Sequence, residues 1–162
     1  MSNNKIINNP FDKIDGYNCF GCSENNLYGL KMKFYEDGEF LISKWKPNKN
    51  YCGYNDLLHG GIQATLCDEL ASWTVYVKKE RSGVTSRLNM KYRNPVNISN
   101  GELTLKSRIT GYIRSTFVII EIKLYDGLNK LCSEGEAIFR MFSKEESIQN
   151  YGFPKEGMDK YK

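Results

Sequence analysis

The sequence predicts an α+β domain in which one long buried helix packs against an antiparallel sheet of five to six strands. The first observation is a segment from Ile62 to Val77 that is apolar on nearly every face, which is typical of a core helix. The second is a series of segments in which polar and apolar residues alternate, separated by the turn dipeptides Asp-Gly and Asn-Gly. One long helix combined with several antiparallel strands defines the α+β class.

The composition indicates one domain of ordinary size. The chain has 162 residues and is 40% hydrophobic, which is enough to bury a core, and its 26% of charged residues is close to the globular average. The net charge of +4 suits a ligand that carries phosphates, but it is too small and too dispersed for a nucleic-acid partner. We expect no membrane span and no signal peptide. Five cysteines without a secretory signal predict reduced thiols and a cytoplasmic protein.

Residues 1–18 are predicted to form a mobile or loosely docked arm, because they are polar and contain Asn-Pro and Asp-Gly breaks. Cys19 and Cys22 follow in a Cys-x-x-Cys motif, which occurs in zinc sites and in redox sites. A zinc site needs two more ligands, and only scattered cysteines and His59 remain. We therefore predict a packed turn here and no metal site.

The predicted domain covers residues 19–143, and its strands are bounded by turn signals. Asp37-Gly38 predicts a hairpin between two strands, and residues 47–58 form a loop that leads into the helix. Ser143 begins a capping box, so a short helix is expected in the tail at 144–162, whose last ten residues should fray. The predicted strands are 29–35, 39–46, 83–93, 103–113, 117–125 and 130–142.

The strand at 83–93 has two distinct faces under strict alternation. The face expected to lie on the helix contains Val84, Ser86, Leu88, Met90 and Tyr92. The opposite face is entirely polar and contains Thr85, Arg87, Asn89, Lys91 and Arg93. Such a face is either solvated or lines the binding site of a charged ligand, and the alternation alone does not decide between the two.

The start of the helix and two acids within it predict a reactive site. His59 is followed by Gly60 and Gly61, which let another molecule approach the unpaired N–H groups of the first turn. Those groups favour an anion or a developing oxyanion. Asp68 and Glu69 lie within the apolar run, where a carboxylate without a partner costs several kcal/mol. Backbone donors together with an intrahelical acid predict acyl chemistry.

Several classes of site are excluded by the sequence. His59 is the only histidine, so metal sites built on several histidines are excluded, and a Ser-His-Asp triad would have to use His59. No Gly-x-Ser-x-Gly elbow is present to supply the serine. The chain also lacks the glycine loops of nucleotide-binding folds.

The pattern His-Gly-Gly-x-x-x-x-Leu-x-Asp from His59 to Asp68, followed by Tyr-x-x-Pro from Tyr92 to Pro95, resembles the hotdog-fold acyl-CoA thioesterases of the phenylacetyl-CoA thioesterase type. The resemblance extends over about residues 19–142. It implies a hotdog fold, in which a curved antiparallel sheet wraps a long central helix and dimers join two sheets into one. Residues 19–30, which we call the leader, resemble the Cys-Phe-x-Cys-Gly-x-x-Asn-x-x-Gly-Leu opening of one branch, with Ser23 in place of the usual glycine.

The resemblance also implies roles for individual residues. The backbone N–H of Gly60 or Gly61 would polarise the thioester carbonyl, while Asp68 would act as general base or nucleophile and Thr85 would hold the attacking water. His59 either anchors the helix start or takes part in the site, and Glu69 is the fallback base. The residues expected to bind the substrate are Asn55, Asn89, Lys91, Arg93 and Arg114. Asn55 lies two residues after Gly53, which occupies the place of an asparagine that helps to hold the thioester carbonyl in one branch. No separate cofactor is expected, because coenzyme A is part of the substrate.

Helix geometry predicts that the site is shared between subunits. Asp68 follows Gly61 by seven residues, so the two lie roughly 10 Å apart along the helix axis. That is too far for Asp68 to serve water attacking a carbonyl held at its own helix start. We therefore expect an obligate homodimer, or a dimer of dimers. The alternative interpretation of Asp68, considered without the other residues, is a carboxylate whose hydrogen bonds are satisfied at a dimer interface and that has no catalytic role.

Three functions compete at this point. The first is an acyl-CoA thioesterase that acts on an acyl- or aryl-CoA. The second is a non-catalytic acyl-CoA-binding or sensor protein on the same fold. Such a sensor would normally carry an added DNA-binding segment, and residues 1–18 are too short and too weakly basic to form one. The third is a dehydratase or hydratase of the same fold, which needs a different motif that this sequence lacks. We favour the thioesterase.

Overall fold

Helix α1, from Gly60 to Lys79, lies at the centre of a computed structural model that describes residues 5–162. The main sheet is antiparallel throughout, with its seven strands in the order β1-β2-β3-β7-β8-β9-β6, and β4 and β5 form a separate hairpin. A second helix, α2, spans Lys144–Tyr151. The strands are β1 (Lys5–Ile7), β2 (Lys33–Asp37), β3 (Phe40–Trp45), β4 (Cys52–Tyr54), β5 (Leu57–Leu58), β6 (Gly83–Tyr92), β7 (Leu103–Ile113), β8 (Phe117–Tyr125) and β9 (Leu131–Met141). This arrangement confirms the predicted α+β class. It adds β1 to the expected strands, and β4 and β5 lie within residues 47–58, which were predicted to be a loop without strands.

The core is the interface between α1 and the sheet. Strands β3, β6, β7, β8 and β9 all pack against the helix. Leu66, Leu70 and Trp73 are fully buried, as expected for the apolar run from Ile62 to Val77, whereas Ile62 near the helix start is only partly buried. Trp73 stacks on Phe34 of β2 with ring centroids 4.3 Å apart. A helix that is buried on nearly every side explains why its sequence has almost no polar face.

Both ends of α1 are anchored by side chains. At the start, the imidazole of His59 caps the first turn. At the end, Glu80 adopts a left-handed conformation with φ of 54°, and its carboxylate accepts a hydrogen bond from the backbone N–H of Met158. The predicted cap of α2 is also present, since the Ser143 hydroxyl accepts from the N–H of Glu146 at 3.0 Å.

Strand β6 lies at the edge of the main sheet. It pairs with β9 on one side, and within residues 5–162 no strand pairs with its other side. A bulge at Ser86 interrupts the pairing between Thr85 and Arg87. Thr85 consequently faces the helix, opposite buried Phe139, while Val84 lies opposite exposed Arg140 on the outer face. The predicted faces are therefore wrong for Val84 and Thr85, because strict alternation does not anticipate an extra residue in the strand.

The described part of the N-terminal arm is docked on the domain. Strand β1 pairs with β2, and Phe11 is only 3% exposed. The Phe11 ring lies 6.2 Å from Trp73 and 5.0 Å from Tyr76, measured between centroids. The prediction of a loose arm is wrong for residues 5–18, because Ile7 and Phe11 of this polar segment are buried in the core. Residues 1–4 of the predicted arm lie outside the described residues.

The C-terminal tail is also packed rather than frayed. Phe153 is 2% exposed and Met158 is fully buried, although both lie in the last ten residues. The backbone N–H of Asn8 donates to the carbonyl of Tyr161, so the two ends of the described chain meet. In residues 5–162, no helix is long and apolar enough to cross a bilayer.

Replacing Phe11 by Ala tests the docking of the arm. We expect the free energy of unfolding, measured by chemical denaturation, to fall by about 3–5 kcal/mol, as for other buried Phe→Ala changes. Ile14, four-tenths exposed in the same segment, is the matched control, and Ile14→Ala should change the stability by less than about 0.5 kcal/mol. Equal effects of the two substitutions would show that the arm does not contribute to the core.

Candidate active site

The helix start leaves one free backbone donor. Nδ1 of His59 accepts the N–H of Gly61 at 2.9 Å, and the His59 carbonyl accepts the N–H groups of Ile62 and Gln63. Within the described chain, the N–H of Gly60 has no acceptor. Of the two glycines predicted to hold an oxyanion, Gly60 is therefore the available donor, and Gly61 is occupied by the cap.

Tyr92 joins the helix start to the edge strand. Its hydroxyl donates to the carbonyl oxygen of Gly60 at 2.9 Å. Partial burial raises the pKa of Tyr92, so the hydroxyl stays protonated and able to donate. We did not predict Tyr92 as a site residue, although the Tyr-x-x-Pro motif was the signal that could have identified it. The contact places the C-terminal end of β6 against the start of α1.

A cleft of about 320 Å³ opens beside the helix start. Most of its lining is apolar, so it fits an acyl or aryl group better than a phosphate. The residues that line it are Gly53, Tyr54, Leu57, Leu58, His59, Gly60, Gln63, Pro95 and Val96. Asn55, predicted to bind the substrate, lies instead in a neighbouring cleft with Lys49 and Asp56. A Cβ atom at position 53 would lie 3.3 Å from the His59 ring, so Gly53 leaves that ring room.

Asp56 holds the chain that leads into the helix. Its carboxylate accepts from the N–H of Ser99 at 2.9 Å, from the Ser99 hydroxyl at 2.7 Å and from the amide of Asn97 at 3.1 Å. These hydrogen bonds lower the pKa of Asp56, led by the one from the Ser99 side chain. Sequence reasoning missed this residue, because its partners lie more than 40 positions further along the chain.

Asp68 is held from one side only. The hydroxyl of Thr85 donates to Oδ1 of Asp68 at 2.8 Å, while Oδ2 has no hydrogen-bond partner among residues 5–162. Burial raises the pKa of Asp68, and the Thr85 hydrogen bond opposes that effect. A carboxylate with a raised pKa and one free oxygen is suited to accept a proton from water.

Glu69 faces a different part of the molecule. Its Oε1 accepts from the indole N–H of Trp73 at 3.1 Å, and the Cys19 thiol lies 3.6 Å from the same oxygen. Burial raises the pKa of Glu69 to about 7, helped by the neighbouring Cys19. The carboxylate thus lies beneath the N-terminal leader and not beside Thr85, which leaves Asp68 as the acid that faces β6.

The two halves of the candidate site lie apart within one chain. Eight residues separate Gly60 from Asp68, which corresponds to about 12 Å along the helix axis. Tyr92 binds the helix at one end of β6, and Thr85 binds Asp68 near the other end. Both halves of the candidate site are therefore hydrogen-bonded to β6, the strand whose outer edge is unpaired in the described chain.

The predicted phosphate-binding residues do not form one cluster within a chain. Arg93 forms an ion pair with Glu134 of β9. Lys91 lies opposite Glu134 in the strand register, in a groove of about 740 Å³ that it shares with Asn89. Glu121, Glu134 and Glu136 also line this groove, so the face is of mixed charge and not purely cationic. Arg114 is exposed in the β7–β8 turn, at the Thr85 end of the sheet.

Residues 55–133 match the thioesterase superfamily. This segment includes the helix start, Asp68, the whole of β6 and the Tyr-x-x-Pro motif, so the resemblance inferred from those motifs is confirmed. No curated protein sequence matches the chain.

Solved structures share the architecture at low sequence identity. A thioesterase from Haemophilus influenzae is 17% identical over 71% of this chain and 80% of its own, with a TM-score of 0.63. The E. coli PaaI protein of the phenylacetic acid degradation operon is 14% identical over 70% and 81%, also at 0.63. A Streptococcus mutans protein bound to acetyl-CoA is 16% identical over 82% and 98%, at 0.64. These likenesses establish the hotdog fold and leave the substrate open.

His59 provides a test of the helix cap. Replacing it by Ala removes the acceptor for the Gly61 N–H and should lower the free energy of unfolding by about 1 kcal/mol. His59→Asn is the matched variant, because asparagine is a favoured cap residue and should restore most of that loss. The measurement is equilibrium denaturation of the three proteins. Equal stability of His59→Ala and wild type would show that the imidazole does not anchor the helix.

Proposed function

We propose that this protein, whose residues 55–133 match the thioesterase superfamily, hydrolyses the thioester of an acyl- or aryl-coenzyme A. The proposal depends above all on one observation: Asp68 has a free carboxylate oxygen beside the unpaired edge of β6, and the same edge leads to the free N–H of Gly60. The acetyl-CoA bound by the Streptococcus mutans relative supports a coenzyme A thioester as ligand.

The active site would form between two copies of the chain. The free edge of β6 can pair with the same strand of a second copy in antiparallel orientation. If the bulge residue Ser86 is left out of the pairing, a two-fold axis at Asn89 would bring Thr85 of each copy next to the partner's Tyr92, with both side chains on the helix side of the sheet. Because Thr85 is bound to Asp68 and Tyr92 to Gly60, this pairing would bring the acid of one copy to the donor of the other. A dimer would then contain two such sites.

In this site the Gly60 N–H would donate to the thioester carbonyl oxygen. Asp68 of the other copy would take a proton from a water molecule, whose oxygen attacks the carbonyl carbon. The C–S bond then breaks, and the proton passes to the departing thiolate of coenzyme A. Thr85 would orient the carboxylate. Direct attack by Asp68, through an acyl anhydride that water then hydrolyses, uses the same groups.

General magnitudes indicate how the two groups would share the catalysis. Losing one preorganised oxyanion donor costs about 3–4 kcal/mol in comparable sites. A positioned general base contributes about 10²- to 10⁴-fold. The donor and the base are thus of similar weight, and a subunit that holds only one of them within reach of the substrate would be a poor enzyme.

The cationic residues would bind the phosphates of coenzyme A. Within one chain Arg114 lies at the opposite end of the sheet from Lys91 and Arg93. Antiparallel pairing of β6 would bring Arg114 of one copy near Lys91 of the other. No carboxylate pairs with Lys91 or Arg114 among residues 5–162, whereas Arg93 is occupied by Glu134. Lys91 and Arg114 are therefore the better candidates.

Subunit exchange between two inactive variants tests the shared site. Asp68→Asn removes the base, and Gly60→Pro removes the donor N–H. Proline is tolerated at the first helical position, and His59, with φ of −59° and ψ of 136°, has a conformation suited to precede it. After mixing and exchange, half of the dimers should be hybrid, each with one intact site, and about a quarter of the wild-type activity should return.

Gly60→Ala is the matched control for the proline variant, because it keeps the N–H and places its Cβ at an ordinary 3.5 Å from Tyr92. It should retain most of the activity, while Gly60→Pro loses about 10²- to 10³-fold in kcat. If the two inactive variants exchange subunits and no activity returns, the site is not shared. If a wild-type dimer binds acyl-CoA thioesters and hydrolyses none of a varied panel, the protein is a non-catalytic acyl-CoA-binding protein.

A second prediction concerns the phosphates. Lys91→Ala and Arg114→Ala should raise KM for an acyl-CoA more than they lower kcat, because such contacts bind ground state and transition state alike. Steady-state kinetics should show no such rise with an acyl-pantetheine substrate, which lacks the nucleotide phosphates. Lys106 of β7, exposed and far from β6, is the control position. Unchanged KM in both variants would identify these cations as ordinary surface charges.

A further inference from the structure

The N-terminal leader brings two cysteines against the helix acid that the proposed reaction does not use. The Sγ atom of Cys19 lies 3.6 Å and 3.7 Å from the two carboxylate oxygens of Glu69. Ligand atoms of Cys19, Cys22 and Glu69 all lie within 4.8 Å of one another. The Tyr17 hydroxyl lies 3.1 Å from the Cys22 sulfur. Two soft sulfur ligands and one oxygen ligand therefore converge on one point.

Gly21 makes this approach possible. It lies between the two cysteines, and a Cβ atom at that position would overlap the carboxyl group of Glu69. A side chain at position 21 would therefore displace the Glu69 carboxyl group from its place beside the two cysteines. The glycine of the Cys-Phe-Gly-Cys sequence thus allows the carboxylate to reach the cysteine turn.

The cluster lacks a positive charge. Cys22 is 2% exposed, and the partly buried side chain of Glu69 lies between the leader and Trp73. No lysine or arginine of residues 5–162 forms an ion pair with Glu69. An ionised carboxylate that has lost part of its solvent and has no cation beside it is costly, and two neighbouring thiols do not compensate its charge. A metal cation bound among these three groups would do so.

We propose that Cys19, Cys22 and Glu69 bind one Zn²⁺ ion. Zinc lies about 2.3 Å from a thiolate sulfur and about 2.0 Å from a carboxylate oxygen, so two such ligands at a tetrahedral angle are about 3.5 Å apart. The observed separation of 3.6 Å between Cys19 and Glu69 matches this value. Thiolates favour zinc over magnesium or calcium, which prefer oxygen ligands. Both thiols release their protons to solvent on binding, and the Tyr17 hydroxyl or a water takes the fourth position.

The ion fastens the leader to the central helix. Cys19 and Glu69 are 50 residues apart in the sequence, and a shared metal ion would close a loop of the chain that contains β2, β3, β4 and β5. Glu69 directly follows Asp68, so the metal would also fix the helix turn that presents the proposed base. This role is structural, and the proposed hydrolysis does not pass through the metal.

Metal binding by the whole protein tests the proposal. Reduced wild-type protein is stripped with a chelator, titrated with Zn²⁺ against a chromophoric competitor and analysed for metal content. We expect about one zinc per chain. Cys19→Ser and Glu69→Gln should weaken binding about 100-fold or more, since loss of an outer-shell partner alone costs about 10- to 100-fold. Cys52→Ser, at a partly buried thiol outside the cluster, should bind as wild type does.

Cobalt provides a second readout that does not depend on stability. Co²⁺-loaded wild type should show thiolate-to-metal charge transfer and the visible bands of a tetrahedral site, both lost in Glu69→Gln or Cys19→Ser. Two results would overturn the proposal: no zinc uptake by the reduced wild type, or unchanged zinc affinity in both ligand variants. In the first case, oxidation to a Cys19–Cys22 disulfide would identify the pair as a redox site instead. Thioester hydrolysis by the chelator-treated protein tests the proposed function separately.

Discussion

The burial of α1 is the constraint on which the rest of the structure depends. Its apolar side chains point in nearly every direction, so the helix needs cover on all sides. The main sheet supplies most of it, the N-terminal segment adds Phe11, and the tail adds Phe153 and Met158. Segments that look dispensable in sequence are packed for this reason. The main sheet ends at β1 on one side and at β6 on the other, and of these two edge strands β6 packs directly against the helix.

Three carboxylates in or near α1 differ in their hydrogen-bond partners and in their burial. Asp56 lies outside the helix and is satisfied by hydrogen bonds from Asn97 and Ser99, which keep it ionised. Asp68 receives one hydrogen bond from Thr85 and keeps one oxygen free. Glu69, one residue further, is enclosed beneath two thiols, where burial raises its pKa. A difference of one position along a helix turns a side chain by about 100°, which separates a candidate base from a candidate metal ligand.

Strand β6 links these features through a single irregularity. The bulge at Ser86 turns Thr85 toward the helix, where it meets Asp68, and leaves Leu88 and Met90 on the core side. Without the extra residue, the hydroxyl would point away from the carboxylate. Bulges occur often next to active sites because they redirect one side chain without disturbing the remainder of the strand. Here the bulge lies on the strand whose outer edge is free to pair.

The sequence by itself determined the α+β class, the central helix and the motif that carries the family resemblance, because each is written in local periodicity and spacing. The separation of Gly60 from Asp68 also follows from helix rise alone. Only the tertiary structure decided which donor is free, since the His59 imidazole occupies the N–H of Gly61. It also decided that Glu69 faces the Cys19 leader. That contact joins positions 50 residues apart. A local sequence pattern shows that a helix face is buried, but it does not show which distant segment packs on that face.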